Sequence, residues 1–144
     1  MAALSNYLEN ALVDHVLRDT AYTKPTGIYV ALFTAAPSDS GGGTEVSGGS
    51  YARVQVGPSV SAWKSTNGTT SGASSGTGGQ TMNAATITFP TPTGNWGTIT
   101  HFGIFDASTS GNLLFHGALT ASKTVNNGDP APTFPADALT ITFA

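Results

Sequence analysis

The stretch that decides the fold is Thr98-Ile-Thr-His-Phe-Gly-Ile-Phe105, the loop Asp106-Ala-Ser-Thr-Ser-Gly111, and Asn112-Leu-Leu-Phe-His-Gly-Ala-Leu119. Two runs rich in β-branched, aromatic and apolar residues flank a short Ser/Gly-rich connection. That pattern predicts an antiparallel hairpin. Upstream, Ile28 to Thr34 carries apolar groups on both faces, as a central strand covered on both sides requires. Tyr51 to Val56 alternates, with Ala52, Val54 and Val56 on one face. Ala85 to Phe89 is a further strand, ended by Pro90 and Pro92, and Leu139 to Phe143 closes the chain as a strand buried on one side.

Between these runs lie breakers. Residues 35–50 read as a loop, punctuated by Pro37 and Gly41-Gly42-Gly43. Residues 64–81 are a Gly/Ser/Thr tract that cannot bury apolar surface, and they read as a surface excursion. Asn126-Asn127-Gly128-Asp129 is a turn. Residues 4–18 read as the one helix, with Ser5 as N-cap. Leu4, Leu8, Ala11, Leu12, His15 and Val16 share a face, and Asp14 and Arg18 sit four apart in the acid-first order. Such a face packs on a sheet or docks on a partner; the first is expected here. With no internal repeat, the sum is a mainly β, single-domain chain over 1–144. It is a β-sandwich of jelly-roll or immunoglobulin-like type with an N-terminal amphipathic helix.

Composition limits the function. The 144 residues include no cysteine, which excludes disulfides, thiolate metal sites and cysteine nucleophiles. Charged residues are 9% of the chain and the formal net charge is −3, so phosphate neutralisation of a nucleic acid is not expected. A surface so poor in charge suits a subunit of a permanent assembly. No apolar run is long enough to span a bilayer, and the Met1-Ala2-Ala3-Leu4-Ser5 start lacks the pattern of a secretory signal.

Chemistry is equally sparse. His15 stands alone on the helix face. A regular hairpin would set His101 opposite His116, where two imidazoles without a third ligand read as a packing pair, not a metal site. Glu9, Asp14, Asp19, Asp39, Glu45, Asp106, Asp129 and Asp137 form no catalytic pair. The Asp106–Gly111 loop lacks the acid spacing of a calcium loop. Gly41–Gly43 and Gly76-Thr77-Gly78-Gly79 lack the Lys-Ser/Thr of a phosphate loop. Trp63, Trp96, Tyr51 and Tyr29 are of the kind that stack on sugars, but a sandwich core uses the same residues. No catalytic, cofactor-binding or metal residue is therefore expected.

Several segments together resemble a family. They are Leu4-Ser-Asn-Tyr-Leu-Glu-Asn-Ala-Leu-Val-Asp-His-Val-Leu-Arg18, Ile28–Thr34, Glu45-Val-Ser-Gly-Gly-Ser-Tyr-Ala-Arg53, Trp96–Asp106 and Gly111–Thr120. They are similar to short tailed-bacteriophage proteins usually labelled tail fibre proteins, with a departure at residues 57–84. The resemblance implies a non-enzymatic virion structural protein, assembled in the bacterial host cytoplasm. The absence of heptads and repeats is unlike a long fibre. The expectation placed first is a capsid decoration (cement) protein, bound to the major capsid protein and to copies of itself as a homo-oligomer on the particle. It has no nucleic-acid or membrane partner. The alternative is a tail fibre, baseplate or receptor-binding component, and a virion-associated hydrolase comes third.

Overall fold

The computed structural model describes residues 2–143. Its elements in chain order are β1 (Ala3–Leu4), α1 (Asn6–Leu17), β2 (Tyr29–Ala35), β3 (Thr44–Glu45), β4 (Val54–Gln55), β5 (Gln80–Met82), β6 (Ile87–Thr88), β7 (Gly97–Phe105), β8 (Leu113–Val125), β9 (Thr133–Phe134) and β10 (Thr140–Thr142). The main antiparallel sheet runs β1-β8-β7-β2-β3, with β4 also on β2. Two ribbons, β5 with β10 and β6 with β9, form the opposing layer. The chain is mainly β, a sandwich with, among the described residues, a single helix near its start, as its alternating runs predict.

The core lies between the layers. Val30 and Leu32 of β2 and Phe102 and Ile104 of β7 meet Ile87, Phe89, Trp96, Leu139 and Ile141, all nearly inaccessible. The opposite face of the main sheet is also apolar. There Phe33 and Phe105 stack with centroids 6.2 Å apart. Gly103 lies under them: a Cβ on it would come within 2.9 Å of the Phe33 ring. A mid-strand glycine here permits the ring packing, at some cost in strand propensity.

One buried polar residue ties the second layer together. Asn83 is inaccessible. Its amide donates to the Ala85 and Pro135 carbonyls, and its side-chain oxygen accepts from Leu139 N–H. All its hydrogen-bonding groups inside the core are thus used.

Several boundaries differ from the sequence reading. Helix α1 begins at Asn6, because Leu4 pairs with Phe115 in β1. Ser5 is the N-cap, as expected, and its hydroxyl accepts from Leu8 N–H. The strand expected over 51–56 contracts to Val54–Gln55, because Tyr51 closes a turn onto the Gly48 carbonyl. The 35–50 loop contains β3, and the 64–81 tract ends before Gln80, where β5 begins. β8 runs to Val125, well past the expected Leu119.

His101 and His116 are not opposite each other. His101 faces Ala118 and His116 faces Gly103. The closing pair of the hairpin is Phe105–Leu113, and Leu114 bulges between Leu113 and Phe115, so the register slides. The bulge has a use. The Leu114 carbonyl accepts Ser5 N–H at 2.9 Å, and the Leu113 carbonyl accepts the Ser5 hydroxyl. Helix α1 is thereby fastened to β8 at its N-cap.

Candidate interaction surfaces

The best-defined polar feature is a cleft of about 530 Å³ beside the start of α1. Its rims are the loops 36–43 and 106–112, and Arg53 and Glu45 lie in its floor. The local sequence builds each rim.

The 106–112 rim closes on itself. The Asp106 carboxylate accepts both the backbone N–H and the side-chain amide of Asn112, each at 2.7 Å. Gly111 takes a φ of +75°, and a Cβ there would meet Asp106 Oδ1 at 2.6 Å, so glycine is required. Arg53 then clamps the loop from below. Its Nη1 donates to the Ala107 carbonyl at 2.9 Å and the Ser110 carbonyl at 2.8 Å.

The remaining Arg53 donors grip Glu45 in a fork, with Nε and Nη2 each 2.8 Å from one carboxylate oxygen. The guanidinium also lies over the Phe105 ring, 3.6 Å from its centroid. Glu45 Oε1 further accepts the Tyr51 hydroxyl, and that hydroxyl accepts Leu32 N–H. Tyr51 therefore fills the break on the β2 edge between β3 and β4. Burial, with the Glu45 carboxylate adding to it, pushes the Tyr51 phenol well above its ordinary range, although the Leu32 hydrogen bond and Arg53 pull the other way.

The 36–43 rim is held at Asp39. Its carbonyl accepts Asn6 N–H at 2.9 Å, and its carboxylate contacts His116 Nε2 at 2.9 Å. His116 is thus a rim anchor, and His101 contacts its neighbour Thr100 instead. The sequence offered no signal for the Asp39–His116 pair, which joins positions far apart in the chain. His15, expected to face the sheet, is exposed, and its Nδ1 accepts Tyr22 N–H. The Tyr22 phenol is raised by burial, and by Tyr7 and Asp106 nearby.

Trp96 is buried, its indole N–H bonded to the Gly49 carbonyl, and Tyr51 packs edge-on against it. The Trp63 indole donates to the Val56 carbonyl. These aromatics are committed to packing. Among the described residues no group of three His, Asp or Glu side chains is placed to hold a metal ion.

A second surface is apolar. Helix α1 packs on β8 and buries Leu8, with Ala11 and Leu12 half-buried, but another flank of its later turns is exposed. Val13, Val16 and Leu17 are 48%, 71% and 77% exposed. The expectation that the whole 4–18 stripe packs on the sheet is therefore corrected at Val16 and His15. Val13, Val16 and Leu17 therefore make an exposed apolar flank on the later turns of the helix.

A family model described as podophage GP4 fiber I protein gp80 matches residues 3–142. The chain belongs to this family. It is a bacteriophage virion structural protein of the fibre type. The match spans both surfaces, the hairpin and the Gly/Ser/Thr tract, including residues 57–84, where the sequence resemblance departs. No curated protein matches this gp80-family chain.

Proposed function

We propose that this chain is a non-catalytic fibre component of a podophage tail, held in the particle by contacts to other virion proteins and to copies of itself. The family match over residues 3–142 carries this reading. It favours the tail-fibre alternative over the capsid-decoration reading placed first from sequence. The free face at Val13, Val16 and Leu17 supplies apolar area for a subunit contact. The rigid, polar 106–112 and 36–43 rims supply a second, more hydrophilic contact.

The test is location and phenotype. An epitope placed in the exposed 70–77 segment and imaged on purified particles should label the tail. Particles lacking the protein should lose adsorption to cells and keep head stability. Labelling spread over the head lattice, with heads that leak DNA when the protein is absent, would return the reading to capsid decoration.

A further inference from the structure

The sandwich is open on one side, and the opening has the shape of a strand. β1 pairs with β8 only at Ala3–His116 and Leu4–Phe115. Among the described residues, no strand covers the outer edge of β8 from Gly117 onward. The inner ladder is interrupted there as well. Ile99 faces Lys123 and His101 faces Ala118, so Leu119–Ser122 stand opposite Thr100 alone. Across the gap, β10 pairs with β5 along one edge, and its other edge has no strand partner. An apolar groove of about 410 Å³ lies beside these edges, lined by Phe89, Ile99 and Phe102, by Ala121 of β8, by Phe134 of β9 and by Thr140 of β10.

Soluble proteins cover or charge such edges, because unpaired backbone beside apolar surface is a template for another strand. Here Lys123 is the one charged residue lining the groove. The occupant must bring hydrogen-bonding backbone to the bare β8 edge and small apolar side chains to the groove. An extended strand does both. β1 sets its track: Ala3 faces His116, and Ala2 already lines the groove, so a strand arriving in line with β1 runs antiparallel to β8 past Gly117.

We infer that this slot accepts an extended strand from a different virion subunit, antiparallel to β8, with alternate apolar residues and an acidic residue opposite Lys123. The inference rests on the reading of the chain as a virion fibre component. A second copy is a poor donor. Its longest exposed irregular stretch, 67–79, is Gly, Ser and Thr with Asn67 and with Ala73 as its apolar residue. Its exposed Val13, Val16 and Leu17 lie on a helix whose backbone is already bonded internally.

The experiment places a photo-crosslinking residue at Ala121, and in separate particles at Val16 and at Ser75. The expected result is an adduct from position 121 to one other virion protein, mapped to one continuous segment of alternating apolar residues. That segment, made as a peptide, should protect the 118–124 amides of the isolated protein from hydrogen exchange. An Ala121→Arg substitution should weaken peptide binding at least about tenfold. A copy-to-copy adduct at 121, or none there while Val16 or Ser75 crosslinks, overturns the inference and leaves the fibre reading standing. Absence of the protein from purified tails overturns the fibre reading itself.

Discussion

Arg53 and Glu45 form a two-point ion pair beneath the hairpin loop, with both contacts at 2.8 Å and the arginine side chain 7% exposed. The pair does more than join β3 to the start of β4. Through Nη1 it fixes the carbonyls of the 106–112 rim, and through Glu45 it fixes Tyr51. Three segments of the chain, 51–53, β3 and the 105–110 stretch of the hairpin, therefore meet at one guanidinium.

Removing one partner leaves the other buried and unpaired, which is worse than never having had the pair. Glu45→Gln should destabilise the fold by about 2–3 kcal/mol, and Arg53→Lys by a similar amount, because lysine lacks the planar fork. Denaturant unfolding of the two variants measures this. A cost below half a kilocalorie for both would show that the network is decorative.

Tyr51 makes stability depend on alkaline pH, and the sign follows from the direction of its shift. Its folded pKa is raised above the ordinary 10.0, mainly by burial. Below that ordinary value the phenol is neutral in both states, and its contribution is fully present. As pH rises further the unfolded chain ionises first, so stability falls toward the raised folded value. Unfolding free energy measured above pH 10.0 should therefore drop more steeply in the parent protein than in Tyr51→Phe. Matching slopes would remove Tyr51 as the cause.

Asn83 gives a third expectation. Asn83→Ala removes three side-chain hydrogen bonds in an inaccessible site and strands the Pro135 carbonyl and Leu139 N–H. The cost should be about 3 kcal/mol. Asn83→Asp should be worse near neutral pH, because a carboxylate cannot donate to the two carbonyls. Thermal melts of the two variants, ranked against each other, check the assignment.

The frame was legible where hydrophobic periodicity is strong. Tyr29–Ala35, Gly97–Phe105 and the Ser5 cap follow from local residue order. What was not legible depends on long-range closure. β1, β3 and β9 are two residues each, too short for any period, and exist because a neighbour's edge is available. The His101–His116 misreading came from a hairpin that closes at Phe105–Leu113 and from a bulge at Leu114 that serves the helix cap, each sliding the register by one residue. In the sequence, Glu45 and Tyr51 read as a scattered acid and a candidate sugar-stacking ring, and with Arg53 they appear only as neighbours in the segment Glu45–Arg53, with no sign that they bond to one another. Their convergence needs the β3–β4 gap on β2, which no spacing rule reveals.

The Gly/Ser/Thr tract is anchored at its ends and open between them. Lys64 N–H bonds to the Met82 carbonyl, Lys64 Nζ meets Asp137 at 2.6 Å, and residues 67–79 are exposed throughout. Ordering costs about 1–2 kcal/mol per residue, and this composition returns little apolar burial against it. Amides between 67 and 79 should exchange rapidly in the isolated protein, while those of Lys64 and Phe143 are protected. Slow exchange across the tract in the monomer would mean that its own turns suffice to order it.

The exposed end of α1 separates a docking role from a packing role. Val16 and Leu17 touch little of their own chain, so Val16→Ser with Leu17→Ser should change unfolding free energy by no more than about 0.5 kcal/mol. The Asp14–Arg18 ion pair at 2.9 Å is surface-exposed and contributes little either way. In the particle the outcome should be different. If these side chains fill a pocket on a neighbouring subunit, truncating both removes buried apolar contact at about 25 cal/mol per Å² in every copy. The doubly substituted protein should fold normally and yet be depleted from assembled virions in competition with the parent. Quantitative mass spectrometry of particles grown with both forms reads that ratio directly. Equal incorporation would assign attachment to the β8 slot and the polar rims, and leave the helix as an exposed appendage.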